Sequence, residues 1–525
     1  MKFIRVVAEK TLEIPLAEDS LGENLARTIW LSGELPPPAL CSGLGRCGAC
    51  RVHFLSEPPL PVPDEISILG KASVEQGWRL SCRHTATPGM IVELPPTSSH
   101  APVPQQSVSE KISLANGEHA FMAVDLGTTS IQWHVFAWGS PERQIRIVDS
   151  GKVLNPQMGA GSEVISRVAL SLKPHGRQLL QGLVLRLLRD IVRKSPCSID
   201  ELCVAGNTAM TSILLDRDVS GLAAAPYRSD EAGGRTVRLP DLPPIWIPPQ
   251  PAPFVGGDLS SGMAFLLYDQ KLSFPFLLAD MGTNGEFVLA LNERESYITS
   301  VPLGPSIEGI GLAHGGTAAP GSISAFRLGP AGLQGTVIGG GRAQNICGTG
   351  YLSLLDVLFR AGFLDEHGRP VSVPSSPLAR RLGARMEHDA SGMWRLPLQD
   401  GLCLSGADVE ELLKVKAAFS VALDSLLEKA GLSSRDLAHF VLGGALGEYA
   451  PLDALENLGF LPQGAGTRTI AAGNTSLQGA VLLLQQRELR PRIVEWSENC
   501  KAVELTGRAD FMNNYVRHMH FGNAG

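Results

Sequence analysis

The sequence lacks any run of 18 uncharged apolar residues, so no transmembrane helix is expected. Its start, MKFIRVVAEKTLEIPLAEDS, lacks the apolar stretch and the small-residue cleavage site of a signal peptide. A strong charge of one sign is also missing, because the formal net charge is only −7 over 525 residues. That balance gives no general attraction to nucleic acid or to an anionic membrane. We therefore expect a cytoplasmic protein with no nucleic-acid and no membrane partner.

Length and composition set the scale of the protein. At 525 residues the chain is too long for one hydrophobic core, so about two to four domains are expected. A hydrophobic fraction of 44% with 18% charged residues is ordinary for a globular protein. In the cytoplasm, nine cysteines are more consistent with metal ligands or buried thiols than with disulfides.

Four cysteines form a pattern near the start of the chain. Cys41, Cys47 and Cys50 have the spacing C-x5-C-x2-C, and Cys82 follows in RLSC. Iron–sulfur clusters need soft thiolate ligands, and the glycines of CSGLGRCGAC let the backbone wrap closely around a cluster. A zinc site usually has two C-x2-C pairs, and a disulfide is disfavoured in this compartment. The pattern therefore favours a 2Fe–2S cluster, with zinc and a disulfide as the alternatives.

The first 94 residues have the pattern of a small α+β unit. Two short strands precede a helix in DSLGENLARTIWLSG, for which Asp19 or Ser20 is the expected cap and Gly33 the expected end. Three further strands are expected in RVHFL, GWRLSC and MIVELP. Residues 95–119 are polar and rich in proline and serine, which predicts a linker with a reach of about 25 to 30 Å if it is a random coil.

Two later segments repeat one pattern, an apolar strand, then D-x-G-T, then a second strand. They are FMAVDLGTTSIQWHVF and FLLADMGTNGEFVLAL. Asp125 and Asp280 can each hold Mg²⁺, directly or through water, although a salt-bridged turn carboxylate is the simpler alternative. Phosphate oxygens require backbone N–H groups, hydroxyls and bare glycine backbone. We therefore expect phosphate contacts from Gly127, Thr128, Thr129, Gly282, Thr283 and Asn284, with hydroxyls that cap their own turn as the alternative.

A third glycine-rich element lies in AHFVLGGALGEYAPLDALENLG. It has the pattern of a strand, a glycine turn and a helix, and it suits a base or ribose lying against bare backbone at Gly443 and Gly444. The chain contains no G-x-x-x-x-G-K-[ST] P-loop, so a nucleotide would be held by these turns instead.

Residues 1–94 resemble the 2Fe–2S ferredoxins, and the rest resembles the superfamily of acetate and sugar kinases, heat-shock ATPases and actin. Within that superfamily the chain is similar to one family along nearly its whole length, the reductive activators of corrinoid proteins. The segments that carry this resemblance are NPQMGAGSEVISR (155–167), VAGNTAM (204–210), FVGGDLSSG (254–262), ADMGTNGEFVL (279–289), GPSIEG (304–309), ICGTG (346–350), GNTSLQGA (473–480) and the tail VELTGRADFMNNYVRHMHF.

The resemblance implies an α+β β-grasp ferredoxin domain followed by an α/β actin-like (ribonuclease H-like) duplicated ATPase core. The implied domains are 1–94, a linker at 95–119, and two ATPase halves at 120–270 and 271–525. All four clustered cysteines would be ligands of the 2Fe–2S cluster. Gly443 and Gly444 would face adenosine and Glu308 the ribose. Asp258 or Glu286 would orient the attacking water, with an ordinary buried, hydrogen-bonded carboxylate as the alternative for these three acids.

The implied activity is ATP-dependent reduction of a corrinoid protein from Co(II) to Co(I), in support of a methyltransferase system. Its cofactors would be the 2Fe–2S cluster, ATP and Mg²⁺, and its partners the corrinoid protein and a low-potential electron donor, with a homodimer left open. Two departures from the family are visible: no further domain separates the ferredoxin unit from the first D-x-G-T, and Glu163 stands where aspartate is expected. A small-molecule kinase, or a nucleotide-switched scaffold with a sensory or structural cluster, is the alternative.

Overall fold

The computed structural model describes residues 2–16, 23–95, 114, 117–139, 145–389, 392–447, 449, 451–505 and 510–522. Most of the predicted linker at 95–119 lies outside these residues, at 96–113 and 115–116. The fold is organised around three large sheets, which we call the N-terminal, middle and C-terminal sheets. None of the helices in the described part of the chain is long and apolar enough to cross a membrane.

The N-terminal sheet has five strands in the order β2-β1-β5-β3-β4, with β1 and β5 parallel. Its strands are β1 (Phe3–Val7), β2 (Thr11–Pro15), β3 (Arg51–Phe54), β4 (Trp78–Leu80) and β5 (Ile91–Glu93). Its helices are α1 (Leu25–Trp30), α2 (Pro63–Leu69) and α3 (Lys71–Glu75). Ile4, Val6, Val52 and Val92 of the sheet are fully buried together with Ile29 of α1.

The start of α1 differs from the expected one. Asn24 is its N-cap, because its side chain accepts a hydrogen bond from the Ala26 N–H at 2.9 Å, so the helix begins later than the sequence pattern indicated. The predicted caps Asp19 and Ser20 lie outside the described residues.

The middle sheet has six strands in the order β10-β11-β9-β6-β7-β8. They are β6 (Glu118–Leu126), β7 (Ser130–Gly139), β8 (Arg146–Leu154), β9 (Glu201–Gly206), β10 (Arg235–Val237) and β11 (Ile245–Ile247). The helices of this region are α4 (Val164–Ser171), α5 (Gly176–Lys194), α6 (Thr208–Leu214) and α7 (Gly257–Ala264).

The C-terminal sheet has the order β22-β21-β12-β13-β14-β23, and two three-stranded sheets lie between its strands in the sequence. Its first strands are β12 (Phe276–Met281), β13 (Asn284–Ala290) and β14 (Ser296–Pro302). The small sheets contain β15 (Ser322–Gly329), β16 (Gly332–Val337), β17 (Asn345–Ile346), β18 (Glu387–His388), β19 (Trp394–Pro397) and β20 (Cys403–Ser405). The remaining strands are β21 (His439–Gly443), β22 (Thr469–Gly473) and β23 (Lys501–Ala502).

Eight helices follow β17 in the described part of the C-terminal region. They are α8 (Gly348–Arg360), α9 (Pro377–Gly383), α10 (Gly406–Ala430), α11 (Gly444–Gly447), α12 (Leu452–Asn457), α13 (Thr475–Gln485), α14 (Arg490–Glu498) and α15 (Phe511–Arg517). The longest, α10, packs on β13 and β14, where the rings of Phe419 and Phe287 meet edge to face at 5.1 Å.

The middle and C-terminal sheets repeat one topology. In each, three antiparallel strands (β6-β7-β8 and β12-β13-β14) are extended by a strand parallel to the first, β9 or β21. Asp125 pairs with Gln132 and Ala205, whereas Asp280 pairs with Glu286 and Gly443. The two D-x-G-T turns therefore occupy equivalent places in two equivalent sheets.

The two regions meet where α7 and α13 cross. A Cβ at Gly479 of α13 would lie 1.7 Å from the Ser261 carbonyl oxygen, so this crossing requires glycine. Although α13 falls in the range predicted as the second half, its Ala480 and Leu483 share an apolar cluster with Ala123 and Cys203 of the middle sheet. The predicted domain boundary at residue 270 stays a prediction. Helix α13 lies after this boundary in the sequence but packs against the middle sheet, which lies before it.

Candidate functional site

The four clustered cysteines form two thiol pairs on neighbouring loops. Cys41, Cys47 and Cys50 lie in the loop of residues 41–50, between α1 and β3, which we call the cluster loop. Cys82 follows β4, and the pairing of β3 with β4 brings it beside Cys50, whose carbonyl accepts hydrogen bonds from the Ser81 N–H and hydroxyl. The strongest mutual influence on thiol pKa values is within two pairs, Cys41 with Cys47 and Cys50 with Cys82.

The cluster loop favours the thiolate at Cys41, whereas the neighbouring thiols Cys41 and Cys82, together with burial, raise the pKa values of Cys47 and Cys50. The Cys47 thiol, together with the backbone N–H groups of Arg46, Cys47 and Leu44, lowers the pKa of Cys41 to about 5 against the effect of burial. Gly43, Gly45 and Gly48 all have positive φ, which turns these N–H groups inward.

The paired arrangement fits a 2Fe–2S cluster better than zinc. No three His, Cys, Asp or Glu side chains in the described residues converge as ligands of one metal ion would. Zinc needs four ligands around a single centre, whereas a 2Fe–2S cluster takes its four cysteine thiolates on two irons.

The two D-x-G-T turns touch each other between the middle and C-terminal sheets. The hydroxyls of Thr129 and Thr283 share a hydrogen bond at 3.0 Å, and the Thr283 hydroxyl also donates to Glu308 Oε1 at 3.2 Å. Both threonines are almost fully buried. The predicted phosphate contacts of the two turns are therefore brought together, with Glu308 between them.

The glycines of the two turns have different roles. A Cβ at Gly127 would lie 2.6 Å from the Ser130 carbonyl oxygen, so the first turn cannot form without glycine. At Gly282 the nearest atoms would be 3.7 Å away, which leaves open backbone beside Glu308 and Asn284. The Thr128 carbonyl accepts a hydrogen bond from Arg167.

The predicted acids lie near enough to influence one another, although no three of them converge on a single point in the described residues. Glu286 is buried, and the other four are half-buried. Burial, reinforced by neighbouring carboxylates, raises the pKa of Asp258 to about 7 and that of Asp280 to about 8. The pKa values of Asp125, Glu286 and Glu308 are also raised, in each case chiefly by burial. Acids held this way favour a cation, because a bound divalent ion offsets both the burial and the repulsion. The donor set fits Mg²⁺, which binds carboxylate and phosphate oxygens.

Two asparagines that the sequence analysis did not single out hold these acids. The Asn474 amide donates to Asp125 Oδ2 and to Gln132 Oε1, both at 2.8 Å, and the Ser476 hydroxyl donates to Asp125 Oδ1 at 3.0 Å. The Asn207 amide donates to Glu286 Oε1 at 2.9 Å. The sequence does carry a signal for this pair, because Ala-Gly-Asn-Thr occurs twice, at 205–208 and 472–475.

Arg167 and Lys152 were also not predicted as site residues from the sequence. Arg167 of α4 is fully buried and donates to the carbonyls of Thr128 and Gly161, and burial lowers its pKa to about 9. Lys152 of β8 is exposed, and its positive charge lowers the pKa values of Asp125 and Glu308 against the larger effect of burial. Both residues bring positive charge to the first turn.

The glycines predicted to face adenosine lie beside Asp280. Gly443 pairs with Asp280 across the sheet, and a Cβ at Gly444, which has φ +75°, would lie 2.4 Å from Asp280 Oδ1. The adenosine contacts of these glycines, the ribose contact of Glu308 and the water-orienting role of Asp258 or Glu286 stay predictions.

Known proteins match this chain along most of its length. A corrinoid activation enzyme, RamQ, of Eubacterium limosum is 26% identical over 77% of this chain and 70% of its own. A [Co(II) methylated amine-specific corrinoid protein] reductase of Methanosarcina barkeri is 22% identical over 75% of each chain. A solved structure titled as a reductive activator for a corrinoid, iron-sulfur protein covers 100% of this chain and 99% of its own, with a TM-score of 0.67 at 20% identity.

That structural match confirms the predicted fold class, a ferredoxin-like β-grasp unit before a duplicated actin-like core. Two models of a single family match consecutive parts of the chain. The RACo middle region matches residues 121–271, and the C-terminal domain of RACo, described as the ASKHA domain, matches residues 275–525. The chain belongs to the RACo family, whose two models together span everything after residue 120 except residues 272–274.

Proposed function

We propose that this protein is an ATP-dependent reductive activator, which returns a corrinoid protein from Co(II) to Co(I) with an electron from a 2Fe–2S cluster. The observation that carries the proposal is a group of four neighbouring thiols on the same chain as the two facing D-x-G-T turns. The names of the two relatives, a corrinoid activation enzyme and a Co(II) corrinoid protein reductase, support the same activity.

Coupling to ATP has a thermodynamic reason. In a one-electron step, each 59 mV of potential deficit lowers the equilibrium constant about ten-fold. Reduction of Co(II) to Co(I) is uphill for ordinary electron donors, so a ferredoxin alone would stall. Nucleotide can supply the missing free energy if it binds one arrangement of the two sheets more tightly than another. The change of arrangement would then act on the docked partner.

The residues divide this work between two places. Cys41, Cys47, Cys50 and Cys82 would hold the 2Fe–2S cluster, which supplies one-electron transfer when bound. Asp125 and Asp280 would hold Mg²⁺, while the turn hydroxyls and glycine backbone bind the phosphates of ATP. Asp258 or Glu286 would accept a proton from, and orient, the attacking water.

ATP binding requires the two turns to move apart. The Thr129 and Thr283 hydroxyls are 3.0 Å apart, and no phosphate group fits between them. Since the turns belong to different sheets, separation of the turns is a movement of the middle sheet relative to the C-terminal sheet. We infer that this movement is the conformational change that nucleotide drives.

The further partners follow from the same proposal. A low-potential electron donor would reduce the cluster, and the corrinoid protein would belong to a methyltransferase system. We place the protein in the cytoplasm and leave a homodimer as an arrangement to be measured by light scattering.

The cluster is tested by anaerobic purification. We expect about two irons and two labile sulfides per chain, with the visible absorption of a 2Fe–2S centre. Cys47→Ser should bleach this absorption, whereas Cys197→Ser, at a half-buried thiol far from the cluster loop in the sequence, should not. Bound zinc in place of iron would contradict the proposal.

The activity is tested by following the cobalamin absorption spectrum of a corrinoid protein during reduction. With a low-potential reductant and MgATP, the protein should convert Co(II) to Co(I), and without ATP it should not. ATP hydrolysis should also rise when the corrinoid protein is added. Hydrolysis that depends on a small phosphoryl acceptor instead would favour the kinase alternative.

A further inference from the structure

The N-terminal unit, residues 2–16 and 23–95, is held mainly against the middle region. Leu31, at the end of α1, is buried in an apolar cluster with Ala160, Val164 and Leu183. Arg186 of α5 also donates to the Gly33 carbonyl at 3.2 Å. These contacts join the N-terminal unit to the elements that pack around the middle sheet, so the two should move together.

The cluster loop itself contacts the segment that precedes α4. The Ser42 hydroxyl accepts a hydrogen bond from the Ser162 N–H at 3.0 Å and shares a second one with the Ser162 hydroxyl at 3.1 Å. The neighbouring Gly161 carbonyl accepts from Arg167, which also binds the Thr128 carbonyl in the first phosphate turn. One buried side chain therefore joins the support of the cluster loop to a phosphate turn.

The same loop reaches the C-terminal region at α10. Arg46 Nη1 lies 2.9 Å from Glu411 Oε1. The loop thus spans from the middle region to a helix that packs on the C-terminal sheet.

Nucleotide entry must change the contact between the cluster loop and α10. When the two phosphate turns separate, α10 moves with the C-terminal sheet, while the N-terminal unit stays with the middle sheet. The Arg46–Glu411 distance then has to change. Arg46 is more than half exposed in this pair, and exposed ion pairs are weak, so it can open without a large penalty.

We propose that the Arg46–Glu411 ion pair holds the cluster loop against α10 until nucleotide parts the two sheets, and that its opening exposes the cluster to its electron-transfer partner. This inference rests on the proposed function, since it assumes both the cluster and the ATP site. Arg46 and Glu411 are positioning residues in this scheme, because neither ligates the cluster nor contacts ATP.

The test measures how fast an iron chelator removes the cluster from anaerobically purified, oxidised full-length protein, followed by loss of visible absorption. Wild type should lose iron faster with MgATP than without nucleotide. Glu411→Gln should lose iron about two- to five-fold faster than wild type without nucleotide, the range expected for one exposed ion pair. It should also respond less to MgATP.

Glu410→Gln is the matched control. Glu410 is the preceding residue of α10 and pairs with Lys414 rather than with Arg46, so its loss removes the same charge from the same helix. That variant should behave as wild type, and the double exchange Arg46→Glu with Glu411→Arg should restore a slow rate without nucleotide.

The outcomes separate this inference from the proposed function. Suppose that wild type contains the cluster and hydrolyses ATP, but that Glu411→Gln loses iron at the same rate as wild type and nucleotide changes neither rate. The inference is then wrong and the proposed function stands. If wild type contains no iron, or does not hydrolyse ATP, both fail.

Discussion

At the scale of single residues, the proposed ATP site places several partly buried carboxyl groups near one another. Burial and the carboxylates around it raise the pKa of Asp280 to about 8, so this group resists ionisation near neutral pH. A carboxyl of this kind destabilises the fold whenever it ionises without a counter-charge. A divalent cation removes that cost. The carboxyl groups that destabilise the fold when they ionise without a cation are therefore the groups suited to bind Mg²⁺.

Asp280→Ala should separate catalysis from stability. We expect ATP hydrolysis to fall about 100-fold or more, because metal coordination contributes several kcal/mol to such reactions. The melting temperature without Mg²⁺ and nucleotide should stay unchanged or rise, since a buried, repelled carboxyl is lost. Asp269→Ala, at an exposed carboxyl nearby in the sequence, should change neither quantity. Wild-type turnover in Asp280→Ala would mean that the second turn is only structural.

The sequence predicted the residues whose signal is local. Both D-x-G-T turns and the four cysteines lie in short patterns with fixed spacing, and the structure brings each group together. Arg167, Asn207 and Asn474 act on partners in other elements. The Asn474 amide reaches Asp125 across 349 residues of sequence, and no local pattern encodes such a contact.

At the scale of elements, the two Ala-Gly-Asn-Thr segments show how a turn serves the site and the fold together. Each asparagine caps a helix: Asn207 accepts from the Ala209 N–H and Asn474 from the Leu477 N–H. The amide of each asparagine then donates to an acid of the site. Capping fixes the side-chain carbonyl toward the helix, which leaves the amide free to point into the cleft.

Substitutions at Asn474 can separate these two roles. Asn474→Ser keeps a good N-cap but is too short to reach Asp125, so we expect near-normal stability and ATP hydrolysis about 10-fold lower or more. Asn474→Ala should lose hydrolysis to the same degree and also about 1 kcal/mol of stability. Ser376→Ala removes the cap of α9, and should lower stability alone. Full activity in Asn474→Ser would show that the amide does not support the site.

The contact of α10 with α15 should depend on pH through Lys416. This side chain is only 1% exposed, and its ammonium donates to the His518 carbonyl at the end of α15 at 3.4 Å. Burial lowers the pKa of Lys416 to about 8 from 10.5, with Asp424 opposing. The unfolded chain therefore binds more protons than the folded one from about pH 8 to pH 10, so the stability contribution of Lys416 rises with pH in that window.

The measurement compares wild type with Lys416→Met by thermal unfolding and by hydrogen exchange of α15. Between about pH 7.5 and pH 9.5, wild type should gain stability relative to the variant, by at most about 2 kcal/mol. Lys414→Met is the control, because ion pairs with Glu410 and Glu411 raise the pKa of Lys414 and keep it charged throughout this range. If the difference in stability between wild type and Lys416→Met does not change with pH, burial does not lower the pKa of Lys416.

At the scale of the whole molecule, sequence patterns predicted the parts better than their arrangement. The repeated strand–turn–strand pattern predicted two matching turns and the family resemblance implied a duplicated core, and the topologies of the middle and C-terminal sheets agree with both. The position of the N-terminal unit depends on contacts such as Ser42–Ser162 and Arg46–Glu411, which join residues 120 and 365 positions apart. Single polar residues in loops carry no periodic signal, so this docking could not be predicted from the sequence.

Residues 96–113 connect, in the sequence, the unit with the proposed cluster to the core with the proposed ATP site. A specific protease site placed within residues 96–113 would allow the full-length protein to be cut between the N-terminal unit and the ATPase core. Before cutting, MgATP should support Co(II) to Co(I) reduction at low protein concentration, because a tether keeps the second contact at an effective concentration on the order of millimolar.

After cutting, reduction at low concentration should fall and should recover as the concentration is raised, whereas ATP binding should persist at all concentrations. The same insertion left uncut is the control for the insertion itself. Reduction that survives cutting at every concentration, and that proceeds without nucleotide, would mean that the ATPase core does not drive the electron transfer.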